Sequence, residues 1–162
     1  MRIVVISDTH IQGKEASLPA GLVEELQHAD MVIHAGDFVS MGIFEKLKSL
    51  CADFRAVCGN MDPQEICESL PRKIIFKAGK FRIGIMHGYG APNNLIEVLS
   101  GEFRAEKPDI VIFGHSHSAF NERIGGILFF NPGSLTDKVF AKTNTYGIIE
   151  LTDKIEAKIV EL

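Results

Sequence analysis

Residues 2–10 read Arg2-Ile3-Val4-Val5-Ile6-Ser7-Asp8-Thr9-His10, and this stretch decides how the rest of the chain is read. The β-branched run Ile3 to Ile6 has the length and composition of a buried strand. It ends in a polar cluster, Asp8-Thr9-His10. The same event recurs four times. Met31 to His34 leads to Gly36-Asp37, and Phe54 to Cys58 leads to Gly59-Asn60. Phe81 to Met86 leads to His87-Gly88, and Ile110 to Phe113 leads to Gly114-His115-Ser116-His117. An α/β sheet gathers the carboxyl ends of its strands along one edge, where ligands bind. Two carboxylates, four of the six histidines and one amide are therefore expected to converge. That donor set suits divalent first-row metals.

Outward from these clusters, the first half alternates strand with helix. Leu22, Val23 and Leu26 repeat at helical spacing, with Glu24, Glu25 and Gln27 opposite. Ser40 is placed to cap a helix carrying Ile43, Phe44, Leu47 and Leu50 on one stripe, with Lys46 and Lys48 facing away. A third helix is predicted from about Asn93 to Arg104, with Pro108 stopping any continuation. The second half is richer in hairpins. Lys73 to Lys77 and Lys80 to Met86 flank Ala78-Gly79, and Phe120 to Ile124 and Ile127 to Phe130 flank Gly125-Gly126. Tyr146 to Leu151 and Ile155 to Val160 flank Thr152-Asp153-Lys154, and the last strand reads as a sheet edge. The expected fold is a four-layer α/β/β/α sandwich of two mixed sheets flanked by helices, formed by residues 1–162 as a single domain.

Composition narrows the classes. Formal charge is 17 − 21 = −4, which lacks the broad basic footprint of a duplex-binding protein. Lys46, Lys48, Arg72, Lys73 and Lys77 are scattered, and no basic, aromatic-lined run suggests a single-strand groove. No membrane partner is expected, because no apolar stretch is long enough to span a bilayer and Asp8 interrupts the amino-terminal run too early for a secretion signal. Cys51, Cys58 and Cys67 form no C-x-x-C pair and are expected to be reduced thiols, which places the chain in the cytoplasm. Exposed strand edges leave room for a homodimer.

On an extended segment, residues i and i+2 point the same way. Asp8 and His10 could thus reach one ion, and His115 and His117 repeat the spacing, with Gly114 allowing a tight turn before them. One Asp-x-His is a weak signal. Two such pairs, joined by Gly-Asp, Gly-Asn and His-Gly at three further strand ends, are much stronger.

This ordered set resembles the calcineurin-like metallophosphoesterase superfamily, whose motifs run Asp-x-His, Gly-Asp, Gly-Asn-His-Asp/Glu, His and Gly-His-x-His. The match spans Asp8 to His117, and the compact size resembles the small single-domain YfcE-type phosphodiesterases. The resemblance implies that Asp8, His10 and His117 bind one metal, that Asp37 bridges two, and that Asn60, His87 and His115 complete the second. It implies a hydroxide between ions about 3.5–4 Å apart as the attacking group, and a role for Asn60 in binding substrate. Mn²⁺ is the first expectation for the two ions, and Fe, Ni²⁺ and Zn²⁺ also suit the donors. The function so implied is hydrolysis of a small phosphodiester.

Three departures stand out. Met61 occupies the place of the family's histidine that contacts phosphate and helps protonate the leaving group. A thioether can do neither, and general acid catalysis is typically worth about 10²–10⁴-fold. Met61 therefore points toward diesters and away from phosphomonoesters, and Asp62, deprived of a histidine to orient, reads as part of a turn with Pro63. Ser116 replaces a threonine. Asn131-Pro132-Gly133-Ser134 resembles a segment close to the family's metal site, but Leu135-Thr136-Asp137-Lys138 follows where many members have Pro-Arg.

Two other classes compete. The retromer sorting-coat subunit that resembles this branch is a protein-interaction scaffold on the same fold and lacks several ligands, whereas this chain keeps all seven. A nuclease would share the chemistry. Of the remaining histidines, His34 is expected to be structural or to support the ligands, and His28 to lie on the surface.

Overall fold

The computed structural model describes residues 1–11, 18–137, 139 and 141–162. Its elements follow the order β1 (Arg2–Ile6), α1 (Ala20–His28), β2 (Met31–His34), α2 (Met41–Ser49), β3 (Phe54–Ala56) and α3 (Gln64–Ser69). There follow β4 (Lys73–Ala78), β5 (Phe81–Met86), a 3₁₀ turn at Pro92–Asn94, α4 (Leu95–Glu102) and β6 (Ile110–Ile112). The chain closes with β7 (Phe120–Ile124), β8 (Ile127–Asn131), β9 (Thr145–Leu151) and β10 (Ile155–Glu161).

Two five-stranded mixed sheets form, ordered β10-β9-β1-β2-β3 and β4-β5-β6-β8-β7. β1 runs parallel to β2 in the register Ile3↔Met31 to Ile6↔His34, and parallel strands buried on both faces need apolar side chains at every position. The period of two then sorts them. Ile3 and Val5 meet Ile83, Ile85, Ile110 and Ile112 of the second sheet between the layers. Val4 and Ile6 face outward against Leu22, Leu26, Ile43, Phe44 and Leu47 of α1 and α2. Beyond the second sheet, Leu95 and Leu99 of α4 cover Val111, Phe113 and Phe129. The four-layer sandwich expected from the sequence is the fold observed.

Ser40 caps α2 through Ile43 N–H, and Gly125 and Gly126, at φ 59° and 88°, turn β7 into β8. β10 lies at a sheet edge and turns Ile155, Ala157 and Ile159 inward. Some boundaries moved. β3 ends at Ala56 rather than Cys58, although Val57 N–H still donates to the His34 carbonyl at 3.2 Å. The third predicted helix begins at Leu95, because Pro92 starts a 3₁₀ turn ahead of it.

The cysteines correct an expectation. Cys58 and Cys67 are joined in a disulfide, their Cα atoms 5.0 Å apart, and Cys51 alone is free. Pro63 precedes α3 as its N-cap, and the helix folds back on Gly59, which returns Cys67 to Cys58. Spacing along the chain gave no sign of that reversal.

Candidate metal centre

Every predicted cluster sits just beyond the carboxyl end of its strand, and all five meet at one edge. Asp8, fully buried, and Asp37, 2% exposed, form the floor. Asp8, His10, Asp37 and His117 each bring a donor atom to within 4.8 Å of the others. His117 Nε2 lies 3.3 Å from Asp8 Oδ1, and His10 Nε2 lies 3.6 Å from Asp37 Oδ2. On the other side of Asp37, His87 Nε2 is 3.3 Å from the same Oδ2 and 3.0 Å from Asn60 Oδ1. His115 Nδ1 closes that group, 2.9 Å from Asn60 Oδ1. All seven predicted residues are thus brought together, in two groups that touch at Asp37.

The route to this arrangement differs from the one read in the sequence. Asp8, His10, Asp37, His115 and His117 have φ of 50°, 43°, 62°, 70° and 56°. They are left-handed, not extended, so the shared direction of the i and i+2 residues comes from tight loops past the strand ends. A non-glycine residue in that region costs about 1–3 kcal/mol and persists only where its surroundings over-determine it. Gly114 also acts differently from expectation. Its backbone lies so close that an added Cβ would fall 2.6 Å from Asp8 Oδ2; it permits close approach rather than a left-handed turn.

Hydrogen bonds hold the loops. Asp8 N–H donates to the Gly36 carbonyl and Thr9 N–H to the Asp37 carbonyl, each at 3.0 Å. His115 N–H donates to Asp8 Oδ2 at 3.2 Å. Ser134 Oγ donates to the Asp8 carbonyl at 2.7 Å, and Asn131 Nδ2 to the Gly114 carbonyl at 2.8 Å. The Asn131 to Ser134 segment therefore ties the first and last clusters together.

Asp62 corrects the reading of a mere turn residue. Its carboxylate accepts four backbone N–H groups: Asp37 at 3.0 Å, Phe38 at 2.6 Å, Val39 at 3.0 Å and Gly59 at 2.8 Å. It clamps the loop that presents Asp37. Met61 N–H completes the clamp by donating to Asp37 Oδ1 at 2.7 Å. Asp137 is a second residue the sequence did not single out, its carboxylate 2.5 Å from His117 Nδ1. Nothing in the sequence marks Asp137; the Gly-Asn-x-Asp order was the one signal for Asp62.

The imidazoles are oriented from behind. His87 Nδ1–H faces the Ala35 carbonyl at 2.8 Å, which turns Nε2 toward Asp37 and Asn60. His34, fully buried, accepts from Gly36 N–H at Nδ1, has Nε2 2.5 Å from Thr9 Oγ1 and stacks on Phe38. It is structural, as expected, and burial holds it neutral with a pKa well below the usual imidazole range. His28 is exposed.

Charge in the pocket follows from the same geometry. The hydrogen bond to Asp8 raises the His117 pKa to about 9 against the opposing effect of burial, with Asp137 adding to the rise. Burial lowers that of His87, but its hydrogen bond to Asp37 and the charges of Asp8 and Asp37 outweigh this and leave it raised. Burial alone would raise the Asp37 carboxyl; its hydrogen bond with His87 and the histidine charges bring it below the ordinary value.

The residues fit a divalent cation. His10 Nε2 is buried and has no hydrogen-bond partner among the described residues. Buried polar atoms are nearly always paired, and this one faces two carboxylates. Oxygen and imidazole donors without thiolate suit Mn²⁺, Fe, Ni²⁺ or Zn²⁺. Above the floor opens a cleft of about 740 Å³, whose lining includes His10, Asn60, His115, Met61, Pro92 and Ser116.

Comparison with known proteins adds to this geometry. The description of the calcineurin-like phosphoesterase superfamily domain matches residues 1–154. A probable metallophosphoesterase of Methanocaldococcus jannaschii is 36% identical over 168 residues, spanning 100% of this chain and 82% of that protein. A phosphodiesterase of the same organism is 26% identical over 171 residues and 99% of each chain. The crystal structure of Vps29 complexed with Zn²⁺ from Entamoeba histolytica is 24% identical over 99% of each chain, with a TM-score of 0.77, a likeness of fold.

Proposed function

The chain belongs to the calcineurin-like phosphoesterase superfamily, and from that premise we propose that it is a phosphodiesterase acting on small phosphodiesters at a binuclear metal centre. One observation carries the binuclear part. Asp37 Oδ2 faces His10 Nε2 at 3.6 Å on one side and His87 Nε2 at 3.3 Å on the other. A single carboxylate oxygen set between two donor groups is placed to be shared.

In this reading Asp8, His10 and His117 hold one ion with Asp37, and Asn60, His87 and His115 hold the other with Asp37. The ions would supply a water of lowered pKa and positive charge for the phosphoryl oxygens. The chain supplies the rest. Two carboxylates balance part of the cationic charge and leave a net attraction for a phosphate anion. Asp137 and the Ala35 carbonyl keep His117 and His87 turned inward, and Asp62 keeps Asp37 in its left-handed conformation. Asn60 lines the cleft and can also reach a phosphate oxygen.

Met61 lines the same cleft and offers no proton. A phosphomonoester with a poor leaving group would need that proton, whereas a diester with a stable leaving group needs it less. The phosphodiesterase among the relatives supports this preference. A scaffold role has support from the Vps29 proteins, one of them, from Schizosaccharomyces pombe, 31% identical over 139 residues, 84% of this chain and 73% of that protein, but retention of all seven donors argues for an enzyme. The chain has no described helix long and apolar enough to cross a membrane.

The test is elemental analysis of purified protein, followed by assay of diesters and monoesters with added Mn²⁺. Wild-type protein should bind two ions per chain and prefer diesters. Asp37→Ala should lose activity and bind less metal; a variant that kept both would remove the bridging assignment.

A further inference from the structure

The cleft over the metal centre has an unusual wall. Among its described lining residues none is Lys or Arg, and its charged groups apart from histidine are Asp37 and Asp137. Among the described residues, a substrate with a second phosphate or a carboxylate would find no cationic side chain there, and burying an unpaired charge is costly. Met61 projects into the cleft with 55% of its surface exposed.

The cleft also continues. A neighbouring groove of about 400 Å³ shares Pro92 and Ser116 with it. Leu95 and Phe113, each 2% exposed, form its floor, and Ile96, Ala119 and Phe120 rise beside them. None of its described lining residues is charged. The size lies within the range of small-molecule sites, and such sites are mostly apolar with a few polar groups that fix orientation. Here the charged and metal-donor groups are all at one end, at the metal centre, and the groove adds only the neutral polar Asn93, Ser116 and Ser118.

We propose that the diester hydrolysed by this protein carries one apolar arm, alkyl or aryl, that passes Pro92 and Ser116 and lies in the groove over Leu95 and Phe113. This rests on the phosphodiesterase reading. It defines the substrate as a singly charged diester with an apolar alcohol, not a nucleotide bearing further phosphates. The occupant follows from continuity. The groove opens directly from the reacting centre, is uncharged throughout, and has room for a chain of several methylenes or an aromatic ring.

The experiment varies the arm while holding the leaving group constant. Methyl, hexyl and phenyl 4-nitrophenyl phosphates are compared with Mn²⁺ supplied. Burial of several methylenes or a ring predicts a kcat/KM about tenfold or more above the methyl ester for both larger arms. Ala119→Asp and Asn93→Asp place a carboxylate in the groove from exposed positions and should pull the hexyl-to-methyl ratio toward one. An inert probe gives a second readout. Hexanesulfonate, but not methanesulfonate, should shift the amide resonances of Ile96, Ala119 and Phe120 in Zn²⁺-loaded protein. Equal kcat/KM for the three diesters, or no groove amide moved by hexanesulfonate, overturns the proposal and leaves the diesterase reading standing. If metal-loaded protein turns over none of the three, including the methyl ester, both readings fall.

Discussion

Asp62→Ala should be among the most damaging single changes outside the proposed metal donors. The carboxylate receives four backbone N–H groups, from Asp37, Phe38, Val39 and Gly59, at 2.6–3.0 Å. Alanine leaves all four donors without it in a partly buried loop. Each unpaired donor costs about 1–3 kcal/mol. Water can reach part of the loop and the effects are not additive, so the total should be about 3–5 kcal/mol. That is a large share of the roughly 5–15 kcal/mol that holds a typical domain together. The loop also presents Asp37 and Val39 at φ 62° and 70°, conformations that relax once the clamp is gone. Metal affinity should therefore fall as well, by about 10–100-fold, the usual effect of losing a group that orients a ligand. Asp62→Asn keeps one oxygen and sets an NH₂ against two of the donors, so it should recover only part. Urea unfolding of metal-free protein, followed by circular dichroism, measures the first effect, and calorimetric titration with Mn²⁺ the second. A loss under about 1 kcal/mol with unchanged metal affinity would refute the clamp.

Met61→His should introduce monoesterase activity on an unactivated substrate such as phenyl phosphate, by up to about 10²-fold; an unchanged mono- to diester ratio counts against the leaving-group argument. Metal binding must displace the proton that His117 holds in the metal-free protein up to about pH 9, so calorimetry in buffers of different ionisation heat should detect at least one proton released below that pH, with affinity rising toward it. The sign reverses for the metal-free fold. The His117 pKa is raised, so its contribution to stability is complete below about pH 6.5, the unfolded value, and is lost as pH rises through about 9; urea midpoints of chelated protein should show that decline. The Cys58–Cys67 pairing predicts one titratable thiol in non-reducing denaturant and three after reduction, with reduction lowering stability by about 2–3 kcal/mol in the chain-entropy account.

Much of this protein could be read from its residues in order. The run Ile3 to Ile6, with the four largely apolar runs after it, determined the strands, because a near-continuous apolar run rich in Val and Ile suits a strand covered on both faces. Their endings pointed to the seven candidate donors, because strand ends in such a sheet share one edge. Other features depend on distance in space and left little trace along the chain. Asp62 meets Asp37 across 25 positions, and Asp137 meets His117 across 20. Cys67 returns to Cys58 because α3 folds back, and the groove beside Pro92 exists because the loop after β6 passes the start of α4. The left-handed backbone at Asp8, His10, Asp37, His115 and His117 belongs to this second group. No local preference of Asp or His imposes five such conformations together; hydrogen bonds from distant segments do, and those form only once the two sheets have packed.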